Sequence, residues 1–229
     1  MILLDLKICM VELKIRRELV IILAHRGYWK DKSEQNTAAA FKRSFSHGFG
    51  VETDIRDYKG ELVISHDIAD SGSMSLDEFF STYNKYGASL PLALNIKSDG
   101  LQAKLKDLIE IYSIRNYFVF DMSIPDALRY LDFGINTLMR RSEYEHELEM
   151  LGNIYGIWLD QFQADWYDRN LIEDIIKKWE LVCIVSPDLH GRDNTNCWSL
   201  LTGSSAELNN KMMICTDYPS QAEEYFNEK

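Results

Sequence analysis

Short apolar segments recur along the chain from residue 20 onward, each bounded by polar or turn-forming residues. Their residues are largely β-branched or aliphatic on both faces, which is typical of strands buried in a parallel sheet. The pattern predicts eight strands, over residues 20–24, 50–55, 92–96, 117–120, 135–139, 156–159, 181–185 and 212–215.

Most of the gaps between these strands have the periodicity of amphipathic helices, and helices are predicted over residues 37–47, 101–112, 125–132, 143–151, 167–180 and 199–208. Strands that alternate with helices pair in parallel through right-handed crossovers. Eight such units predict an α/β fold, a single closed (β/α)8 TIM barrel. An open, doubly wound sheet is the competing architecture. It usually has a glycine-rich turn after the first strand, where this chain has Ala24-His25-Arg26-Gly27.

The first 19 residues lie outside the eightfold pattern. Apolar residues at 4, 6 and 8 alternate with Asp5 and Lys7, which favours an added strand, although the following residues fit a helix equally well and Met10 is an alternative start. We expect a short N-terminal extension over 1–19, either a plug at the barrel bottom or an artefact of the assigned start. One barrel domain is expected over 20–229. Charges interrupt every apolar stretch, so we expect no secretory signal, no stable membrane insertion and a cytoplasmic protein.

The composition is that of a globular protein with an acidic balance. Of 229 residues, 46% are hydrophobic and 27% are charged, which allows a full core. The formal charge of −11 repels nucleic acid, so an anionic substrate would need a local cluster of positive side chains or a bound cation. The four cysteines lack CxxC spacing and are interpreted as reduced thiols.

Ionisable and amide side chains collect at the predicted strand ends, which a barrel gathers around one pocket. The spacing of two residues in Glu52/Asp54, and again in Asn95/Lys97, puts each pair on one face of its strand. Charged groups facing inward are costly unless they are paired or coordinate a ligand. The complete set is His25, Arg26, Glu52, Asp54, His66, Asn95 and Lys97.

This set suits a phosphate ester and a hard cation. Glu52, Asp54 and the amide oxygen of Asn95 form an all-oxygen ligand set, which favours Mg²⁺ or Ca²⁺ over Zn²⁺. The arginine and lysine of the set would hold phosphate oxygens. Its two histidines would act as general base and general acid on opposite sides of phosphorus, because imidazole titrates near neutral pH. The predicted chemistry is phosphoester cleavage.

Six short motifs occur in order across nearly all of residues 20–219: His25-Arg26-Gly27, Glu34-Gln35-Asn36-Thr37, Glu52-Thr53-Asp54, His66-Asp67, Asn95-Ile96-Lys97 and Thr216-Asp217-Tyr218-Pro219. Their order and spacing resemble the glycerophosphodiester phosphodiesterase family. The resemblance implies a barrel enzyme of the superfamily that includes phosphatidylinositol-specific phospholipases C. In that superfamily a neighbouring hydroxyl of the substrate often attacks phosphorus. By position, it implies His25 and His66 as the acid/base pair, Glu52 and Asp54 as metal ligands, and Arg26 and Lys97 as phosphate contacts.

The chain departs from the family pattern at three places. Asn95 stands where the family usually has Glu, which removes one negative charge and should lower metal affinity; Asp160, just past the sixth strand, is a candidate to compensate. The segment after His66 is shorter than usual, which puts glycerol specificity in doubt. Residues 186–192 replace a Trp-Thr motif, and there His190 and Arg192 are predicted to contact the leaving group.

Two further positions have alternative interpretations. Trp29, on the first loop after a strand, is predicted to stack on the substrate, although packing would also explain an aromatic residue there. Asn36 or Thr37 is predicted to cap the first helix rather than to bind substrate.

The sequence thus predicts a metal-dependent phosphodiesterase that hydrolyses a glycerophosphodiester or a similar small molecule by two-histidine catalysis. One alternative is a diester in a cell-surface glycan or sugar-phosphate precursor. The other is a weakened binding protein that retains the pocket. The oligomeric state is not predicted.

Overall fold

The computed structural model describes residues 20–146, 153–202 and 209–228. The expectations for residues 1–19, including Cys9, lie outside the described residues. In the described part the strands are β1 (Ile21–His25), β2 (Gly50–Tyr58), β3 (Glu61–Ile64), β4 (Met74–Ser75), β5 (Leu92–Ile96), β6 (Tyr117–Phe120), β7 (Leu138–Arg141), β8 (Gly156–Leu159), β9 (Leu181–Val185) and β10 (Met212–Thr216).

Eight of these strands form the predicted parallel barrel. Ladders join β1 to β2, β2 to β5, β5 to β6, β7 to β8, β8 to β9, β9 to β10 and β10 back to β1. Between β6 and β7 the connection is one parallel bridge from Val119 to Thr137, with a 2.8 Å hydrogen bond from the Val119 N–H to the Asn136 carbonyl. The (β/α)8 prediction is therefore confirmed.

We call this short junction the β6–β7 seam. A cavity of about 450 Å³ lies beside it, lined by Asp121 and Met122 after β6 and by Leu138 and Arg140 of β7. The other neighbouring strands of the barrel are joined by regular ladders.

The helices cover the strands from outside. They are α1 (Ala38–Ser46), α2 (Leu76–Tyr86), α3 (Gln102–Ile111), α4 (Ile124–Asp132), α5 (Arg169–Lys178), α6 (Thr195–Leu201) and α7 (Pro219–Glu228), with 3-10 turns at Lys32–Glu34 and Pro187–His190. Three begin at side-chain caps: Thr37, Ser75 and Asp168 each accept a hydrogen bond from a backbone N–H three residues on. Helix α2 was not predicted.

Two apolar layers hold the barrel together. The buried members of the inner layer all come from strands, and within it the rings of Phe120 and Trp158 stack with centroids 3.8 Å apart. The outer layer packs the opposite strand faces against the helices, for example through Phe41 of α1 and Phe79 of α2, whose rings lie 4.7 Å apart. Apolar side chains thus fill the barrel interior. Polar side chains that can reach a ligand therefore lie at the ends of the strands.

Strand β2 continues beyond the barrel and places the second predicted histidine. Its outer half pairs antiparallel with β3, through a turn in which Lys59 and Gly60 both have positive φ, and β3 pairs in turn with β4. The Ser65 N–H donates to the Asp54 carbonyl at 3.0 Å. His66 therefore follows β3 close to the carboxyl end of the barrel part of β2.

Three of the predicted elements are wrong or displaced. The helix over residues 143–151 is wrong in its described part, where Ser142 and Glu145 form an antiparallel bridge; the Glu143 carboxylate accepts the N–H groups of residues 162–164 instead. The strand predicted over 135–139 begins at Leu138, because the Ile135 N–H still donates to the Tyr130 carbonyl at the end of α4.

The last predicted helix is also displaced. Helix α6 begins four residues before the predicted start at residue 199, and the segment 203–208 lies outside the described residues.

No helix among the described residues is long and apolar enough to cross a membrane. The three cysteines in that part of the chain, Cys183, Cys197 and Cys215, are free and buried, in agreement with the predicted thiols.

Gly156 tests the packing between β8 and β9. It pairs with Leu181, and a Cβ added at Gly156 would collide with the Leu181 carbonyl oxygen. We expect Gly156→Ala to lower the free energy of unfolding by about 1–3 kcal/mol, as overpacking does, measured by chemical denaturation. Gly72→Ala is the control, because its Cβ would meet only Asp70 Oδ1, at 3.2 Å. Equal losses in the two variants would contradict the packing argument.

Candidate active site

The barrel gathers charged side chains at the carboxyl ends of its parallel strands. Because these ends meet at one mouth, residues far apart in sequence become neighbours. The residues brought to this mouth are His25 and Arg26 at the end of β1, Glu52 and Asp54 in β2, Asn95 and Lys97 at β5, Asp121 after β6, Arg140 in β7, Asp160 after β8 and Asp217 after β10.

Glu52 and Asp54 form a buried carboxylate pair. Glu52 is 1% exposed and Asp54 is fully buried. Burial, and then the charge of Asp54, raise the pKa of Glu52 to about 7. The Arg26 backbone N–H donates to Glu52 Oε2 at 3.2 Å, and the Asn95 amide donates to Oε1 at 3.2 Å. Two acids at this depth need positive charge close by.

Arg26 and Lys97 supply that charge to Asp54. Arg26 Nε lies 3.1 Å from Asp54 Oδ2, and Lys97 Nζ lies 3.5 Å from Oδ1. Lys97 also pairs with Asp121 at 3.2 Å, and Asp121 pairs with Arg140 at 2.7 Å. The two residues predicted to hold phosphate thus lie at the mouth, at one end of a row of alternating charges that runs toward the β6–β7 seam.

The turn after β1 shapes this arrangement. Arg26 has a φ of +54° and Gly27 a φ of +83°. A Cβ at Gly27 would stand 2.9 Å from the Ala40 Cβ, so only glycine lets the turn lie against α1. The turn directs the Arg26 N–H to Glu52 while its guanidinium reaches Asp54.

His25 is held between two acidic groups. Its Nδ1 lies 2.7 Å from Asp217 Oδ1, and its Nε2 lies 3.9 Å from Glu52 Oε2. Burial alone would lower the pKa of His25, but the hydrogen bond to Asp217 and the charges of Glu52 and Asp217 outweigh it and raise the pKa above 6.5. The structure brings His25 to the predicted site, and the contact with Asp217 orients its ring.

His66 has a different setting. Its side chain is 44% exposed, and Nδ1 contacts Asp67 at 2.9 Å. A cleft of about 420 Å³ is lined by His66 together with Arg26, Gln35 and Asn36. The structure thus brings His66 to the cleft of Arg26, whose backbone contacts Glu52, whereas His25 is not part of the cleft lining.

The residues present fit a hard cation. Asn95 Oδ1 and Asp54 Oδ1 are buried and accept no hydrogen bond from any described residue. With Glu52 they offer the oxygen ligands that Mg²⁺ and Ca²⁺ prefer. In the described part of the chain no three His, Cys, Asp or Glu side chains are placed to share a metal. Asp160 contacts His190 Nε2 at 2.7 Å, and its role as a compensating acidic ligand stays a prediction.

The residues predicted to contact the alcohol part of the substrate each form hydrogen bonds with other residues of the protein. His190 Nε2 lies 2.7 Å from Asp160 Oδ1, and its ring packs 4.8 Å from that of Phe162. Arg192 donates to the Gln161 carbonyl and pairs with Asp165, which leaves its guanidinium committed to the loop. The Trp29 indole donates to the His25 carbonyl at 3.1 Å, so Trp29 supports the end of β1.

Sequence reasoning missed three contributors to the site. Asn36 has a φ of +59° and donates to Asp54 Oδ2 at 2.8 Å, whereas the helix cap is Thr37. Asp121 and Arg140 extend the row of charges. Each of these two follows or lies within a short apolar strand near its carboxyl end, which was the available signal.

Comparison with known proteins supports the fold. No family model and no curated protein matches the sequence. Among solved structures, the chain is similar to a glycerophosphodiester phosphodiesterase from Agrobacterium tumefaciens, with a TM-score of 0.63 and 15% identity over 92% of this chain and 100% of that one.

Two further solved structures agree. A phosphodiesterase from Oleispira antarctica, in complex with the product sn-glycerol-3-phosphate, has a TM-score of 0.64 and 18% identity over 91% of this chain and 97% of that one. A glycerophosphodiester phosphodiesterase from Thermotoga maritima has a TM-score of 0.60 and 15% identity over 89% and 97% of the respective chains. At these identities the likeness establishes a shared barrel.

Asp54 provides a test of cation binding. A ligand that binds the folded state raises the melting temperature, so we expect Mg²⁺ or Ca²⁺ to raise that of the protein and Asp54→Asn to abolish most of the shift. The matched control is Asp57→Asn, on the exposed outer part of β2. Shifts that are absent from the unmodified protein, or equal in both variants, would contradict the cation site.

Proposed function

We propose that this protein is a metal-dependent phosphodiesterase that hydrolyses a glycerophosphodiester or a similar small phosphodiester. The observation that carries the proposal is the meeting of the oriented His25–Asp217 pair with two buried carboxylates and two cationic side chains at one barrel mouth. Support comes from the shared barrel and the names of the similar structures, which include phosphodiesterases and a bound glycerol phosphate.

Glu52, Asp54 and Asn95 are the residues that would hold Mg²⁺ or Ca²⁺. When bound, such an ion supplies Lewis-acid polarisation of the phosphoryl oxygens. Because residue 95 is an asparagine, the site has two carboxylate ligands and one amide. We therefore expect weaker cation binding than three carboxylates would give.

His25 is the proposed general base. Asp217 accepts its Nδ1–H, which leaves Nε2 as the basic atom of the neutral ring and directs it toward the mouth. There it takes the proton of the attacking group, either water or a neighbouring hydroxyl of the substrate. A carboxylate behind the imidazole also stabilises the imidazolium that forms.

Arg26 and Lys97 are the proposed phosphate contacts. Their side chains are 21% and 17% exposed, so each remains open to a ligand while it pairs with Asp54. Donors aimed at the nonbridging oxygens stabilise the charge that develops in the transition state. They also supply the local positive potential that an anionic substrate needs on a chain with a net charge of −11.

His66 is the proposed general acid. It shares a cleft with Arg26, and the cleft volume of about 420 Å³ suits a small molecule. Its exposed position allows exchange of protons with solvent after each turnover. His190 is proposed to contact the alcohol on the other side of the mouth, since it pairs with Asp160, which follows β8, and β8 stands opposite β2 in the order of the barrel strands. Arg192 is proposed to contact the same alcohol, and Trp29 is proposed to stack on the substrate while its indole N–H supports the end of β1.

The proposal also includes the class of substrate and the cellular compartment expected from the sequence. The substrate is a small molecule rather than nucleic acid, because the acidic chain repels polyanions. The three buried free thiols suit a reducing compartment, for which we propose the cytoplasm.

Turnover of glycerophosphodiesters with Mg²⁺ or Ca²⁺, followed by phosphorus NMR, tests the function. We expect His25→Gln to lower kcat by about 10²–10⁴-fold, since it removes a general base, while the glutamine amide still has Asp217 as a partner. His47→Ala, on the exposed end of α1, is the control. If no diester is cleaved and no cation shifts the melting temperature, the binding-protein alternative is favoured.

His190 tests recognition of the alcohol. We expect His190→Gln, which retains a donor for Asp160, to raise KM about tenfold for a diester with a hydroxyl-rich alcohol and to leave kcat within about threefold, as loss of a hydrogen bond would. A diester with a short alkyl alcohol should show little change. A fall in kcat with KM unchanged would instead assign His190 to proton transfer.

A further inference from the structure

Asp188 accepts hydrogen bonds from several directions at the end of β10. The Thr216 hydroxyl lies 3.1 Å from its Oδ1 and 3.0 Å from its Oδ2, and the Asp217 backbone N–H donates to Oδ2 at 2.8 Å. The Ser186 hydroxyl donates to Oδ1. The carboxylate therefore ties the loop after β9 to the two residues that end the neighbouring strand.

The contacts continue from Asp188 to His25 through one residue. Asp217 uses its backbone N–H toward Asp188 and its side chain toward His25 Nδ1, at 2.7 Å. Fixing the peptide of Asp217 restricts where its carboxylate can lie. A shift of that carboxylate would turn the imidazole away from the mouth.

The other side of the network is anchored in the core. The Trp198 indole of α6 donates to the Ser186 hydroxyl at 2.9 Å, and both residues are buried. Gly191, with a φ of +71°, ends the 3-10 turn that carries Asp188. Asp188 thus has a rigid support, which a positioning group requires.

We propose that Asp188 is a positioning residue for His25, acting through Thr216 and Asp217. The inference rests on the proposed function in so far as His25 is the general base. Asp188 contacts neither the imidazole nor the phosphate-binding side chains in the described structure; it fixes the residue that selects the Nδ1–H form of the ring. Groups that orient a metal ligand contribute about 10–100-fold to affinity or activity, and we take the same range for a group that orients a general base.

The kinetic test compares substitutions at Asp188. We expect Asp188→Ala to lower kcat about 10–100-fold and to leave KM within about twofold. Asp188→Asn should recover most of the loss, because its amide oxygen can accept the Asp217 N–H while the hydroxyls of Ser186 and Thr216 turn to accept from its NH2. The control is Asp193→Asn, on the same loop but exposed, where the side chain accepts the Thr195 N–H.

The second measurement is independent of turnover. Nitrogen-15 NMR of the imidazoles, with His25→Gln identifying the resonance among five histidines, should show His25 as the Nδ1–H form in the unmodified protein and in Asp193→Asn. In Asp188→Ala a mixture of ring forms is expected. If Asp188→Ala does not fold, Asp188→Asn carries the comparison, with a smaller change in the same direction.

The outcomes separate this inference from the proposed function. Unchanged kcat and an unchanged His25 resonance in a folded Asp188→Ala protein would overturn the positioning role. A lower kcat in Asp188→Ala without a change in the His25 resonance would also overturn it, since Asp188 would then act elsewhere. A changed His25 resonance in a protein that cleaves no diester would support the positioning role and refute the phosphodiesterase.

Discussion

Two carboxylates, Glu52 and Asp54, are buried together at the mouth of the barrel, and the surrounding structure follows from the cost of placing them there. Removing two like charges from water is unfavourable unless positive groups or a cation approach closely. Arg26 and Lys97 approach Asp54, and the hydrogen bonds to Glu52 come from a backbone N–H and an amide. The positive-φ turn after β1, and the row of charges from Lys97 to Arg140, are consequences of this requirement.

The same electrostatics bear on the phosphodiester substrate proposed above. Before a ligand arrives, Arg26, Lys97 and Arg140 each have an acidic partner among the described residues. A dianionic or monoanionic ligand competes for those cations, and a divalent ion competes for the carboxylates. A phosphate that binds the cationic side chains would leave the carboxylates without their partners, and a divalent ion would then compensate the carboxylate charge. We therefore expect the phosphate and the divalent ion to bind with positive cooperativity.

Much of the barrel and part of the site could be predicted from the sequence, because both depend on local patterns. Apolar strands such as 117–120 and 181–185 are matched to the residue, and the spacing of Glu52 and Asp54 fixes their common face. The failures depend on contacts between distant segments. Glu143 has a helical pattern around it, but its carboxylate caps the backbone of residues 162–164. Asn36 is a natural capping residue, yet its amide reaches Asp54 on another strand.

Within the site, too, the residues could be predicted from local patterns, but their contacts could not. A motif can indicate that His25 and Asp217 both matter, but only the fold shows that they touch across 192 residues of sequence. The amide at position 95 was visible in the sequence as a departure from the family pattern that the chain resembles, whereas its hydrogen bond to Glu52 was not. Asp160 was a candidate ligand by position, and its contact with His190 could not be predicted from the sequence.

The β6–β7 seam is the one junction between neighbouring barrel strands that consists of a single bridge among the described residues. Breaking the bridge between Val119 and Thr137 opens the circle at its least costly point, whereas any other opening must break a whole ladder. The strands that carry His25, the carboxylate pair and Asn95, together with β10, which Asp217 follows, are joined by continuous ladders, β10–β1–β2–β5, in the middle of the strand order that begins and ends at the seam. Local opening, measured by amide hydrogen exchange, is therefore expected at the seam before it reaches the strands that carry these residues.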